Sequence, residues 1–246
     1  MKKIVILAAG KGSRMNSNLP KALMPINGKP MIEYLIKVIK KSGIDDEPII
    51  VVSPDNEESI KKALAKYKCK YAIQKEQLGT GNALLCAKKA IGKNVNYVLC
   101  FYGDHPFFKP ATIKRIAHSH SGAITMMTTG VKDFIGWRKN FYHWGRVLRN
   151  YGNIKEIVEF KDADEKIKKI REVNPAIYCF ATKWLWQNIK KLNNNNAQNE
   201  YHLTDLIKFA FKQGLNIGSF PIDAEEAIGV NSKEELKVAE SLSSVV

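Results

Sequence analysis

The chain has 246 residues, a formal net charge of +15, 45% hydrophobic and 26% charged residues. That length and balance suit one large folded domain with a sizeable core, and exclude a disordered or fibrous chain. No apolar run approaches the ~18 residues of a membrane span, and no secretory pattern opens the chain, so no membrane partner is expected. Cys69, Cys86, Cys100 and Cys179 are far apart with no Cys-x-x-Cys pair, which fits a reducing, cytoplasmic setting. The five histidines form no metal cluster; His118 and His120 fall on different faces of their helix. The excess charge is mostly lysine along amphipathic helices (Lys37, Lys40, Lys41, Lys61, Lys62, Lys66, Lys68), without an arginine-rich stripe interleaved with aromatics. It reads as a solvated surface that attracts anionic substrates, with no nucleic acid expected.

The first predicted element is a buried parallel strand at Ile4 to Leu7, followed by Leu7-Ala8-Ala9-Gly10-Lys11-Gly12-Ser13-Arg14-Met15 and then Leu19-Pro20-Lys21. Two glycines after a strand let backbone N–H groups approach a phosphate with no Cβ in the way. Glycines alone fit an ordinary turn equally well. Arg14 and Lys21 add fixed positive charge, and together with Pro20 they turn the reading toward a polyphosphate site. The spacing matches neither Gly-x-Gly-x-x-Gly nor the P-loop.

A helix opens near Gly28, with Pro30 in its first turn, Met31, Leu35, Val38 and Ile39 as its apolar stripe, and Gly43 as its end. Strands at 49–52 and 69–74 flank a helix at 57–67. This alternation predicts a parallel sheet covered on both faces, a Rossmann-like half. The loop Gln74-Lys-Glu-Gln77-Leu-Gly79-Thr80-Gly81 leads into a helix at 82–90. It would face the same crevice as the first loop, outside the carboxyl ends of the strands. Gln74 and Gln77 offer a donor and an acceptor suited to the polar edge of a base, and Gly79 and Gly81 allow close approach of its flat face. The plainer alternative is a helix start capped by Thr80. The strand 97–102 ends in Gly103-Asp104, where a carboxylate is placed to hold Mg²⁺ or to cap the turn before Pro106.

A helix at 109–120 and a strand at 123–129 follow. From 131 to 153 the pattern turns irregular and aromatic (Phe134, Trp137, Phe141, Tyr142, Trp144, Tyr151), ending in two antiparallel strands joined at 150–153. These aromatics either stack on a sugar or base, or cover the sheet edge. Helices at 184–192 and ending at 211, a strand at 217–222 and a C-terminal helix from Ser232 complete the chain. On its own, Asn231-Ser232 reads as a helix cap.

Taken in order, several motifs resemble the sugar-nucleotidyltransferases, in particular the uridylyltransferase domain of bacterial N-acetylglucosamine-1-phosphate uridyltransferases. They are the Leu7–Met15 and Leu19–Lys21 segments, Tyr102-Gly-Asp104, Gly145-Arg-Val, Ile157-Val-Glu-Phe-Lys-Asp162, Glu172-Val-Asn174, Asn196-Ala-Gln-Asn-Glu200-Tyr-His-Leu-Thr204-Asp and Gly229-Val-Asn231. The resemblance implies an α/β, Rossmann-like nucleotidyltransferase fold. Its mixed, mostly parallel central sheet would carry helices on both faces and a small antiparallel sugar-binding part. One domain over 1–246 is expected, with a nucleotide half at about 1–130, a sugar half at about 131–231 and a C-terminal helix at 232–246.

The resemblance further implies UTP and a sugar 1-phosphate as substrates and Mg²⁺ as cofactor. It assigns Arg14, Lys21 and Asp104 to catalysis, and the metal to Asp104 and Asn231. Leu7, Ala8, Ala9, Gly10, Gly12, Ser13, Gln74, Gln77, Gly79 and Thr80 fall on the nucleotide. Tyr102, Gly103, Gly145, Glu159, Asn174, Glu200, His202 and Thr204 fall on the sugar. The chain departs from the family pattern at Pro175-Ala176, where Thr-Gly is usual, at His202, where tyrosine is usual, and in the residues added before His143. Without hexapeptide repeats, acetyl transfer is expected to be absent and a monomer is compatible with the lone domain.

The expected chemistry needs no general base, because a phosphate monoester with a second pKa of about 6 is already an anionic nucleophile at pH 7. Positioning and countercharge between two polyanions carry the burden. A transferase acting on another sugar 1-phosphate or a phosphorylated alcohol, and a non-catalytic basic binding module, are the alternatives.

Overall fold

The computed structural model describes residues 1–10, 12, 15, 17 and 19–243. Strand β1 (Lys2–Leu7) is buried through Ile4, Val5 and Ile6. Next come a small hairpin, β2 (Pro25–Ile26) and β3 (Lys29–Pro30), then α1 (Met31–Ser42), β4 (Ile49–Val52), α2 (Glu57–Ala63) and β5 (Lys70–Ile73). Helices α3 (Thr80–Cys86) and α4 (Lys88–Ile91) lead to β6 (Tyr97–Tyr102), α5 (Pro110–His118) and β7 (Ile124–Gly130). β1 lies between β4 and β6, with β5 beyond β4, all parallel. The near-continuous apolar runs of β1, β4 and β6 follow from burial on both faces, whereas the edge strand β5 buries only Ala72.

The second half folds back onto the same sheet. A 3-10 segment (Gly136–His143) precedes the hairpin β8 (Arg146–Asn150) and β9 (Asn153–Val158). It is followed by α6 (Glu165–Lys168), β10 (Glu172–Val173), β11 (Tyr178–Ala181), α7 (Thr182–Asn188) and α8 (Asp205–Lys212). β12 (Ile217–Pro221), α9 (Ala224–Ala227) and α10 (Lys233–Ser243) end the chain. Among the described residues the strand order is β5-β4-β1-β6-β11-β7-β10-β8-β9, with β12 parallel to β7. The sheet is therefore mixed. It is parallel from β5 to β6, then antiparallel from β11 through β7, β10, β8 and β9.

Alternation along β1 divides the core into two layers. Ile4 and Ile6 pack with Ile50, Phe101 and the apolar faces of α1, α2 and α5. Val5 packs with Val51, Cys100 and residues Leu84, Leu185 and Leu206 from α3, α7 and α8.

Two expectations need correction. Pro30 is not in the first turn of α1: it pairs with Pro25 and precedes the helix with ψ 134°. Asn27 and Gly28 both have positive φ (45° and 76°), which is the pattern of a tight hairpin turn, so Pro30 belongs to the hairpin. The second concerns β11, a four-residue strand for which the sequence pattern gave no prediction. It runs antiparallel in the middle of the sheet, between β6 and β7.

Arg146 at the start of β8 is fully buried. Its guanidinium donates to the carbonyls of Lys168 (3.1 and 3.2 Å), Tyr142 (2.7 Å) and Trp144, and faces the Phe134 ring at 4.9 Å. The aromatic segment is thereby fastened to the sheet edge.

Glu33, in the first turn of α1, joins α1 to the turn after α2. It is buried and accepts from Tyr67 Oη (3.1 Å), beside the ammonium groups of Lys37 (3.0 Å) and Lys66 (2.9 Å). Burial pushes its carboxyl up, but the donors prevail and hold it at about 2, against an ordinary 4.5. A depressed folded-state pKa stabilises above the unfolded value, and that stability is lost as pH falls through the folded one. Glu33→Gln is therefore expected to be about 1 kcal/mol less stable at pH 6, a figure reduced for solvent screening of the lysines. Denaturant unfolding between pH 6 and pH 2.5 should show this gap closing below about pH 4.5. A gap that stays constant with pH would contradict it.

Candidate active site

A cleft of about 980 Å³ opens where β1 and β6 end. Leu7, Ala8, Ala9, Gly10 and Gly12 line it, with Gly103 beside them. The loop is held from behind: Ala8 N donates to Val51 O (2.8 Å), Asn56 Nδ2 to Ala8 O (2.9 Å), and Gly103 N to Leu7 O (2.9 Å). Gly12 has φ +64°, and a Cβ there would lie 2.6 Å from Lys21 Cβ. Glycine is thus required so that the loop can pass against Lys21. Ser13 and Arg14, both expected in this loop, lie outside the described residues.

Three distant segments meet at one point in this cleft. Lys21, in a 3-10 turn (Lys21–Leu23), donates from Nζ to Asp104 Oδ2 and to Asn231 Oδ1 at 2.6 Å. His105 Nδ1 lies 2.7 Å from Asp104 Oδ1, and Val230 N donates to Asp104 O at 2.9 Å. Glu235, on α10, accepts from the backbone N–H of Asn231. Burial would raise the Asp104 carboxyl, but the Lys21 ammonium and the His105 ring hold it far below the usual carboxylate range. It stays ionised.

The Lys21 ammonium marks where two hard oxygen donors, Asp104 Oδ2 and Asn231 Oδ1, converge on a cation. That donor set fits Mg²⁺, which takes one or two protein ligands and fills its octahedron with phosphate oxygens and water. Among the described residues, no group of three or more His, Cys, Asp or Glu could hold a metal by itself.

Beyond the end of β5, Gln74, Gln77, Gly79 and Thr80 line the cleft. Gln74 is buried, and its Nε2 donates to Gly79 O (3.0 Å) and Asn82 Oδ1 (2.9 Å). Both amide hydrogens are therefore engaged inside the loop, and Gln74 has its carbonyl oxygen, not a donor–acceptor pair, to offer a base. The two glycines also serve differently from expectation. A Cβ on Gly79 (φ +106°) would lie 2.8 Å from Tyr201 N, and one on Gly81 2.4 Å from Leu192 Cδ1. What approaches closely there is the 200–203 segment, together with the Leu192 side chain at Gly81. Gly81 N donates to Tyr201 O, Tyr201 N to Leu78 O (both 2.8 Å), and Leu203 N to Thr80 Oγ1 (2.9 Å). Thr80 thus links the two halves of the chain.

On the far side, Tyr102, Gly145, Glu159, Asn174, Glu200 and His202 line the cleft. Burial pushes the Tyr102 phenol well above its ordinary range. Burial also raises the Glu159 carboxyl, opposed by His202 and by the Thr204 hydroxyl, which donates to Glu159 Oε1 at 3.0 Å. Thr204 is buried behind Glu159 rather than lining the cleft. A Cβ on Gly145 would lie 2.8 Å from Ile157 Cγ2 and 3.4 Å from Glu159 Oε2, so this glycine leaves room for the carboxylate. The Asn174 side chain works within its own turn, accepting from Ala176 N (3.0 Å) and donating to Tyr178 Oη (2.6 Å). Ala176 has φ +58°, a left-handed conformation that favours glycine.

Several wall residues were not among the sequence-predicted site: His105, Asn140, His143, Trp144, Phe160, Lys161, Gln198 and Glu235. The aromatic segment supplies Asn140, His143 and Trp144, and the His143 ring meets the edge of Phe160 at 4.7 Å. The available signal was the run of aromatics directly before Gly145, which the sequence left open between ligand wall and sheet cover. It serves as both.

The model of the MobA-like NTP transferase domain matches residues 4–204. The bifunctional protein GlmU of Clostridium botulinum is 41% identical over 241 residues, covering 97% of this chain and 51% of that protein. GlmU of Clostridium novyi is 39% identical over 242 residues, covering 98% and 52%. The chain spans about half the length of the curated relatives it matches. In fold it is similar to the inositol-1-phosphate CTP transferase from T. maritima, with a TM-score of 0.75 at 18% identity over 100% of this chain and 96% of that one. With the family model spanning most of its residues, the chain belongs to the MobA-like NTP transferase domain family.

Proposed function

We propose that this nucleotidyltransferase moves a uridylyl group from UTP to a sugar 1-phosphate, with N-acetylglucosamine 1-phosphate the first candidate, and releases pyrophosphate. The observation that carries this reading is the convergence of Lys21, Asp104 and Asn231 in a cleft walled by the Gly10 loop on one side and by Glu159 and His202 on the other. The likeness to GlmU, named above, supplies the choice of nucleotide and sugar.

In the proposed reaction an oxygen of the acceptor phosphate forms a bond to the α-phosphorus as the α–β bridging oxygen departs with pyrophosphate. No proton has to be removed from the nucleophile. The chain's task is to hold two polyanions in line against their mutual repulsion. Mg²⁺, bound by Asp104 and Asn231, would supply countercharge to the triphosphate. The backbone of Gly10 and Gly12 receives the phosphates, and Lys21 presents its ammonium to them. Gln74 and Gln77 read the base. Glu159, held by Thr204, accepts a sugar hydroxyl, and Tyr102 and His202 close the sugar side against water.

A second acceptor has a specific observation in its favour. Ala176 lines the cleft in a left-handed conformation after Pro175. A methyl group held at such a cost narrows the wall, which suits a different acceptor phosphate.

Pyrophosphate release with UTP and Mg²⁺ should be fastest with N-acetylglucosamine 1-phosphate among a panel of sugar 1-phosphates. Preference for another acceptor phosphate would replace the sugar assignment, and no turnover with any would overturn the reading. Lys21→Ala should lower kcat by about 10²–10³-fold, as for the loss of one preorganised donor. Its unfolding midpoint should fall as well, because Asp104 is left without the Lys21 countercharge, while the chain stays folded at assay temperature. Asp104→Ala should abolish Mg²⁺-dependent turnover without unfolding the chain; near wild-type rates would refute the metal assignment.

A further inference from the structure

His105 is 5% exposed and fixed on every side. Its ring stacks on Phe108 (5.5 Å between centroids, 3° between planes) and meets the edge of Trp144 at 5.5 Å and 63°. Nδ1 lies 2.7 Å from Asp104 Oδ1. Nε2 is buried without a hydrogen-bond partner among the described residues. It faces Gly229, where a Cβ would come within 2.8 Å of it. A carboxylate only accepts, so Nδ1 carries the hydrogen and donates it.

We infer that His105 is a positioning residue: its Nδ1–H holds one oxygen of Asp104 so that the other faces the cation site shared with Asn231. Without that bond the carboxylate turns about its Cβ–Cγ axis and shares both oxygens with Lys21. Ligating carboxylates are commonly oriented by such outer hydrogen bonds. The clamp on the ring is drawn from three parts of the chain. Phe108 follows β6, Trp144 closes the aromatic segment of the cleft wall, and Gly229 stands two residues before Asn231. The aromatic segment thus bears on the cation site as well as on the acceptor pocket. The inference rests on the proposed metal site at Asp104 and Asn231.

Two polar replacements separate positioning from simple packing. In His105→Asn, the side-chain Nδ2 falls near the place of the histidine Nδ1; in His105→Gln, the Nε2 falls near that of the histidine Nε2, away from Asp104. Mn²⁺ binding in the presence of UTP, followed by electron paramagnetic resonance, is the readout, with the Mg²⁺ dependence of turnover beside it. His105→Asn should bind Mn²⁺ within about threefold of the wild type, and His105→Gln about 10- to 100-fold more weakly, the range for outer-shell partners of metal ligands. Trp144→Leu should weaken Mn²⁺ binding as well, leaving His105 in place but unclamped. The KM for the acceptor should change less than the Mn²⁺ affinity in His105→Gln, since the polar contact that is lost is the one to Asp104. Equal Mn²⁺ affinity in His105→Gln and wild type, or equal weakening in both replacements, would overturn the inference. A wild-type chain that binds no Mn²⁺ with UTP present would instead overturn the metal reading itself.

Discussion

The cleft depends on one electrostatic contact. Lys21 reaches Asn231 across 210 residues of sequence and Asp104 across 83, so a single ammonium ties the glycine loop, the tip of β6 and the approach to α10 into one centre. Three charged or polar groups, each partly withdrawn from water, are costly to bury separately and stable only as a set. The same arrangement explains why Gly12 cannot carry a side chain and why Asp104 remains ionised.

Around that centre the two halves of the chain are joined by backbone contacts as well as by side chains. The Gln74–Gly81 loop belongs to the parallel half, yet it is clasped to the 200–203 segment through Thr80, Gly79 and Gly81. The 74–81 loop and the 200–203 segment are therefore parts of one wall of the cleft. Arg146 plays the matching role at the other edge, anchoring the aromatic segment by three carbonyls so that Trp144 can reach His105. The proposed transfer between two polyanions would benefit from such fixed positioning, because a preorganised site needs no reorganisation when charge develops.

Much of this was legible in the sequence because β1, β4 and β6 are short apolar runs, β1 and β6 leading into glycine, and the loops after β1 and β5 carry polar groups at defined spacing. Strand β6 agrees with its predicted limits, and its Asp104 tip falls in the cleft as expected. Harder to read were features set by tertiary contact. β11 has four residues, too few for periodicity, and owes its central position to β6 and β7 on either side. The β2–β3 hairpin was signalled by Asn27-Gly28, but Pro30 with an apolar helix behind it looked equally like a first turn. Gly79 and Gly81 announced a close approach without saying to what; the partners are the chain's own Tyr201 backbone and Leu192 side chain. His105 gave no signal of its own, since a lone histidine after an aspartate acquires meaning only with Phe108, Trp144 and Gly229 around it.

The central claim is that the point now held by the Lys21 ammonium is the cation site of a nucleotidyl transfer centre. A crystal structure of the chain with UTP and Mn²⁺, with an anomalous difference map at the manganese edge, tests it most directly. One strong peak is expected within bonding distance of Asp104 and Asn231, with triphosphate oxygens completing its coordination and Lys21 Nζ turned onto a phosphate. A peak elsewhere, or Lys21 still bridging Asp104 and Asn231 with the nucleotide bound, would contradict it.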